Sequence, residues 1–206
     1  MRPSFCRLAP LLAAATLATG CSGGEATAPD RTPAPLPYTV SGTLSGPRLA
    51  TLPADTRAVI VWAADDGAGD YGYQWGSGTV DAASGRFSIT LAEDPPTVAT
   101  FSGANGARLG VGFVVLVPAG EARVGRIDDA TFTERALGAA GQHAVIYTAG
   151  SPAGVVWASR FRAGYNVGRG VPARAGETFD TFEPVPPGTV QVIVDALRNI
   201  RVVNWS

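Results

Sequence analysis

The stretch GTVDAASGRFSITL, residues 78–91, predicts a β-hairpin. Its second half alternates apolar and polar residues, with Phe87, Ile89 and Leu91 predicted to face inward and Arg86, Ser88 and Thr90 outward. A period of two is typical of a strand with one buried face. The intervening DAASG supplies the small and polar residues of a tight turn. The stretch therefore indicates antiparallel β-structure.

The same kind of pattern recurs along the chain. The stretches YTVSGTL (38–44), RAVIVWA (57–63) and RLGVGFVVLV (108–117) predict further strands, as do residues 144–148, 155–162, 189–195 and 198–205. Only TFTERALGAAG predicts a helix, because Thr131 and Glu134 can each satisfy a free N–H of its first turn. We therefore predict a mainly β fold, an antiparallel β-sandwich with at most one short helix.

Two glycines interrupt the apolar strand at 108–117. Leu109 and its alternate neighbours form one apolar face, whereas Gly110 and Gly112 lie on the other. Glycine within a strand indicates either a bulge or the close approach of a neighbouring group. We expect such an approach, or a bulge, on this face.

The composition excludes several classes of protein. All 16 cationic residues are arginine, the net charge is −1, and no arginine cluster stands out, so we predict no nucleic-acid partner. The 26 Gly and 16 Pro favour short strands joined by turns. Two cysteines, Cys6 and Cys21, do not make a disulfide framework for the domain.

The amino terminus has the pattern of a secretory leader. Arg2 and Arg7 precede an apolar run over residues 8–18, and Gly20 precedes Cys21. This arrangement resembles the lipobox of bacterial lipoprotein precursors. The resemblance implies a signal peptide over residues 1–20, acylation of Cys21, and a membrane as partner in the cell envelope, the outer membrane if the cell has two. The alternative is a secreted protein with a free Cys21.

Residues 21–37 read as a lipidated cysteine and a flexible linker. The segment is rich in Gly, Ala and Pro and nearly without bulky apolar groups, so it lacks the surface to offset its ordering entropy. The β-sandwich domain is then predicted over residues 38–206. Within it, YTVSGTL, RAVIVWA and GTVDAASGRFSITL resemble the transthyretin-like or carboxypeptidase-regulatory-like β-sandwich modules, over residues 38–101. That resemblance implies an accessory, non-catalytic module.

The stretch ADDGAGDYGYQWGSG, residues 64–78, holds the densest set of candidate site residues. Asp65, Asp66 and Asp70 are hard oxygen donors of the kind that Ca²⁺ binds, although their spacing is not that of an EF-hand. The same carboxylates are candidates for a hydrolase pair. A solvated acidic turn is the plainer interpretation.

Aromatic residues follow in the same stretch. On a strand, Tyr71, Tyr73 and Trp75 share one face, where rigid rings can stack on sugars or contact a protein ligand, or else complete the core. The segment 161–180 is predicted to be rich in loops, and its polar and aromatic residues are candidates to face the same end of the sandwich: Arg162, Tyr165, Asn166 and Arg169.

We predict no catalytic residues and no cofactor. His143 is the only histidine, no G-x-S-x-G sequence surrounds Ser151, and paired metal-binding motifs are absent from the sequence. The expected function is therefore binding or interaction, with a glycan or a protein as ligand. A carboxylate-dependent hydrolase and a structural envelope protein are the alternatives.

Overall fold

A computed structural model describes residues 34–65, 70–103, 106–127, 129–150, 155–171 and 181–200 of the 206-residue chain. This part of the chain is mainly β, as predicted, with one α-helix, α1 (Asp129–Arg135). The strands are β1 (Tyr38–Ser45), β2 (Thr56–Asp65), β3 (Asp70–Asp81), β4 (Arg86–Leu91), β5 (Phe101–Ser102), β6 (Arg108–Pro118), β7 (Gly125–Arg126), β8 (Gly138–Ala139), β9 (His143–Ala149), β10 (Gly164–Val171), β11 (Thr181–Val185) and β12 (Val190–Ile193). Short 3₁₀ turns lie at Leu49–Thr51, Thr97–Ala99, Ala119–Glu121, Val156–Arg160 and Leu197–Asn199.

The strands form one hydrogen-bonded sheet, and seven of them close into a ring. The ring runs β6-β2-β3-β4-β1-β12-β8 and returns to β6, where Val115 pairs with Ala139. The first half of β6 pairs instead with β9, so that β9, β10 and β11 branch from the ring. The two faces of a sandwich are thus joined by continuous strand pairing, and the predicted β-sandwich is not confirmed.

The ring includes one parallel pair. Residues Gly42–Ser45 of β1 run parallel to Val190–Ile193 of β12. At Gly42 the two backbones approach so closely that a Cβ would overlap the Val190 carbonyl oxygen. Glycine at this position therefore permits the pairing that helps to close the ring.

The predicted hairpin is confirmed. Asp81 of β3 pairs with Arg86 of β4, and the Asp81 carboxylate accepts the N–H groups of Ala83 (3.0 Å) and Ser84 (3.2 Å). Gly85 has φ +63°, which glycine adopts without strain. The buried and exposed residues alternate along β4 as its sequence predicts.

The predicted close approach to β6 is also confirmed, and the neighbour is an indole. Trp62 of β2 is fully buried, and its ring would lie 2.9 Å from a Cβ at Gly110 and 3.0 Å from one at Gly112. The ring occupies the space that side chains at the two glycines would fill. The indole lies in the main core, which fills the interior of the closed seven-strand sheet.

Two smaller apolar clusters cover the outer face of the sheet. One lies between β2, β6 and the segment around α1, and the other between β6, β9 and the Val156–Arg160 turn. The predicted strand at 155–162 is wrong, because that turn replaces it. Trp157 and Phe161 are four residues apart, a spacing that suits both a strand face and a helical turn, so alternation could not distinguish the two structures.

The prediction of loop structure for residues 161–180 is wrong over β10. Its glycines suggested turns, but Gly168 lies in the strand, where a Cβ would be 3.2 Å from Ile146, Phe161 and Phe182. The outer cluster packs against the bare backbone at this position. The glycine is therefore a packing residue rather than a turn residue.

Candidate functional site

The three aromatic residues predicted as a binding surface lie along β3. Tyr71 pairs with Ala64 and Tyr73 with Trp62, and directly paired residues of antiparallel strands share a face. Since Trp62 is in the core, the rings face the interior of the sheet. Tyr73 and Trp75 are half-buried and pack against the core, and the Arg126 guanidinium lies 4.2 Å from the centre of the Tyr71 ring. Their packing accords with core completion, and ligand binding by them stays a prediction.

One end of the core is a cluster of five aromatic rings centred on Tyr165. The centre of its ring lies 5.2 Å from Tyr147, 5.6 Å from Tyr38, 6.3 Å from Trp62 and 6.5 Å from Trp75. Tyr165 comes from the segment that was predicted to face the same end as the β3 aromatics, and its contact with Trp75 brings the two together.

Hydrogen bonds connect the cluster to the segment that follows β4. The Tyr165 hydroxyl donates to the Glu93 carbonyl oxygen at 2.8 Å. Arg108 lies over the Tyr147 ring and donates to the Thr100 hydroxyl at 3.1 Å and to a backbone carbonyl of the same segment. Burial, and then a hydrogen bond to Asp94, raise the pKa of Tyr147 to about 12. These phenols therefore stay protonated at neutral pH and serve as structural donors.

Tyr38 differs from the other tyrosines of the cluster. Its side chain is 6% exposed, and among the described residues its hydroxyl has no hydrogen-bond partner. Burial raises the pKa of Tyr38, and the nearby positive charge of Arg162 opposes the rise. A buried polar atom without a partner is uncommon in folded proteins and calls for a physical explanation.

Tyr38 lies in the wall of a recess of about 350 Å³, between the start of β1 and the β10–β11 pair. The polar part of the wall comes from Tyr38, Arg160, Arg162 and Asn166. The rest of the wall is apolar and comes from valines and prolines of β10, β11 and the turn after them. The recess thus combines a few polar groups with an apolar wall, as small-ligand sites do.

Side chains of two strands form hydrogen bonds with the Arg162 backbone. Its carbonyl oxygen accepts hydrogen bonds from the Thr148 hydroxyl of β9 and the Asn166 amide of β10, both at 2.8 Å. Next to it, the Ala163 carbonyl accepts the N–H of Ala34 at 2.9 Å. These bonds fix the corner from which the arginine side chain projects. Ala34 belongs to the predicted linker, so the chain reaches the domain beside the recess.

A second hollow of similar volume lies on the outer face of β1, β3 and β4. Its walls carry hydroxyls and the side chains of Asp81 and Arg86. The Asp81 carboxylate is already engaged by Ser84 and Ala83, and hydrogen bonds from Ser84 lower its pKa. Because these bonds form the hairpin turn, local structure accounts for the polarity of this hollow.

His143 begins β9 and is buried opposite Arg169. Its Nδ1 has no hydrogen-bond partner among the residues described, and burial, followed by the charge of Arg169, lowers its pKa. Ser151 lies outside the described residues. His143 therefore stays neutral at pH 7 and occupies a structural position at the start of the strand.

The candidate metal ligands are only partly described. Asp65 and Asp70 are paired at the ends of β2 and β3, while Asp66 lies outside the described residues. In the described ranges no group of three or more His, Cys, Asp or Glu side chains could hold a metal ion. Calcium binding and carboxylate-dependent hydrolysis by these three residues stay predictions.

Local sequence patterns do not predict the recess. Tyr38 alternates with other inward residues of β1, as expected for a core residue. The strand pattern over residues 155–162 includes Arg160 and Arg162, whereas the structure has a 3₁₀ turn over Val156–Arg160. Tyr38 and Arg162 line the same recess because of long-range packing, which no local pattern predicts.

None of the described helices is long and apolar enough to span a bilayer. Cys21 and the predicted leader lie outside the described residues. No protein-family profile, curated protein or solved structure matches the chain.

Proposed function

We propose that this protein is a ligand-binding module, anchored to a bacterial membrane through acylated Cys21 and displayed outside the cytoplasm. The order of basic residues, apolar run, Gly20 and Cys21 supports the anchor. Two or three acyl chains hold a protein durably on a bilayer, whereas one chain binds only marginally. The segment between Cys21 and Ala34 then serves as a spacer that leaves the domain accessible.

The observation that carries the binding function is the buried, unpartnered hydroxyl of Tyr38, a residue that lines the recess. Leaving a buried hydroxyl without a partner costs about 1–3 kcal/mol. Phenylalanine would fill the same volume without that cost. Retaining tyrosine is therefore consistent with a ligand that supplies the missing hydrogen bond, since such local violations are expected at functional sites.

The anchor is tested by replacing each cysteine in turn in the native host. We expect the wild type and Cys6→Ser to fractionate with membranes, and Cys21→Ser to leave them and accumulate as the uncleaved precursor. Mass spectrometry of the wild type should find the mature chain beginning at an acylated Cys21. A mature amino terminus elsewhere, without acyl chains, contradicts the anchor.

Ligand binding is tested on a glycan array with the full-length protein purified in detergent. We expect the wild type to bind a subset of glycans and Tyr38→Phe to lose that binding. Trp75→Ala tests the β3 aromatics separately, with its folding checked by thermal unfolding. Failure of the wild type to bind any glycan contradicts the proposed ligand class, and binding that survives Tyr38→Phe contradicts the assignment to the recess.

A further inference from the structure

We propose that the recess binds the oxyanion of its ligand, a carboxylate or a phosphate, through the Arg162 guanidinium and the Tyr38 hydroxyl, with Arg160 at the rim. This inference rests on the proposed binding function and specifies the chemistry of its ligand. It follows from the charge of the recess, the direction of its hydrogen bonds and its size.

Among the described residues, the charge of the recess is positive and uncompensated. Both Arg160 and Arg162 line it, and none of its described lining residues is acidic. Within the described ranges neither guanidinium forms an ion pair, whereas Arg135 pairs with Glu121 and Arg169 lies 4.0 Å from Glu183. Arg162 is half-buried, so part of the solvent that would screen its charge is already removed. An anion is the ligand that this charge favours.

The polar groups of the wall are chiefly donors. An arginine side chain offers five N–H groups and no acceptor. A tyrosine hydroxyl keeps its proton at neutral pH, and burial raises the pKa of Tyr38 further, so this hydroxyl too can donate. A ligand rich in acceptor atoms satisfies both groups at once. The planar guanidinium matches carboxylate and phosphate oxygens, and charge-assisted bonds of this type are the stronger ones.

The Arg162 backbone and the Tyr38 ring are held in position before any ligand arrives. Thr148 and Asn166 both bond to the Arg162 carbonyl, and Tyr38 is stacked on Tyr165 with 26° between the rings. Holding the Tyr38 ring and the Arg162 backbone in advance lowers part of the ordering cost of binding. The site therefore does not depend on rearrangement of the strands.

The remaining wall indicates the size and body of the ligand. Val167 and Val185 are directly paired across β10 and β11, and Pro187 lies in the turn that follows. A volume of about 350 Å³ lies at the small end of ligand sites. A compact acid, such as one acidic sugar with its ring against the apolar wall, fits both features.

The test is isothermal titration calorimetry of the full-length protein in detergent, with glucuronate, glucose and inorganic phosphate as separate probes. Glucose and glucuronate share a ring and differ by the carboxylate. We expect glucuronate to bind at least about tenfold more tightly than glucose, as the gain of one charge-assisted contact predicts. Phosphate binding with the same dependence on the variants also supports the proposal and assigns the site to phosphate groups.

Three variants locate the effect. Arg162→Gln and Tyr38→Phe should each weaken glucuronate binding by about tenfold, because each removes one of the two donors. Arg57→Gln removes an exposed arginine of β2, away from the recess, and should leave binding unchanged. Thermal unfolding of each variant checks that the chain is folded.

The outcomes separate this inference from the function on which it rests. Equal affinity for glucose and glucuronate, or glucuronate binding that Arg162→Gln does not weaken, overturns the oxyanion site while leaving a binding module. Absence of binding to all three probes overturns the oxyanion site as well. If the glycan array is then also blank, the proposed function fails with it.

Discussion

Replacing Tyr38 with phenylalanine should stabilise the protein without ligand. The substitution keeps the ring that stacks on Tyr165 at 5.6 Å and removes only a hydroxyl that has no partner in the described structure. Since an unsatisfied buried polar group costs about 1–3 kcal/mol, we expect the free energy of unfolding to rise by about 1–2 kcal/mol. For a chain of this size, that corresponds to a Tm higher by about 2–8 °C.

Tyr165→Phe is the matched control, because it removes the same atom from a neighbouring ring. The Tyr165 hydroxyl donates to the Glu93 carbonyl oxygen at 2.8 Å, so its removal breaks a partly buried hydrogen bond. We expect the free energy of unfolding to fall by about 1 kcal/mol. The two substitutions are chemically identical and opposite in their predicted sign.

The assay is urea unfolding of both variants and the wild type, followed by tryptophan fluorescence. The slope against urea should be the same for all three if the substitutions alter stability alone. If Tyr38→Phe lowers stability as much as Tyr165→Phe does, the Tyr38 hydroxyl is satisfied in the free protein. That result refutes the inference that a ligand supplies its partner.

Three further predictions concern the rest of the fold. Trp75→Ala removes a half-buried ring stacked on Tyr165, and urea denaturation should show the free energy of unfolding lower by about 2–3 kcal/mol. No loss of stability would show that the ring is not part of the core. Gly42→Ala places a Cβ against the β12 backbone and should lower Tm far more than Gly120→Ala, whose Cβ meets nothing within 4 Å; equal Tm values would contradict the close approach. Because folding lowers the pKa of His143, the unfolded chain binds a proton first as the pH falls. The free energy of unfolding should therefore fall as the pH falls below about 6.5 towards the folded pKa. His143→Gln should remove that part of the pH dependence, as measured by urea unfolding.

Local patterns predicted the elements whose stability is local. The β3–β4 hairpin follows from alternation and from turn residues that are adjacent in sequence, and the contact at Gly110 and Gly112 follows from the lack of side chains on one face of β6. Alternation also placed Tyr71, Tyr73 and Trp75 on a common face. It did not report whether that face meets solvent or the core, because that depends on which strand lies opposite.

Local patterns could not predict that the sheet closes on itself. It depends on β8, a strand of two residues, which is too short to show any period, and on the parallel pairing of β1 with β12 from the other end of the chain. The recess has the same origin. Tyr38 and Arg162 are ordinary residues in their own segments, and they line the same recess only because distant parts of the chain come together in the fold.

The position of Pro184 on β11 has a consequence for self-association. β11 ends the branch of the sheet, and in the described part of the chain no strand pairs with its other side. An open strand of this kind is a template on which a second copy can polymerise. Proline lacks the N–H that an added strand requires, and Pro186 and Pro187 follow directly. Pro184 and Pro187 also line the recess. The same residues are therefore expected to hinder fibril growth along the open edge of β11.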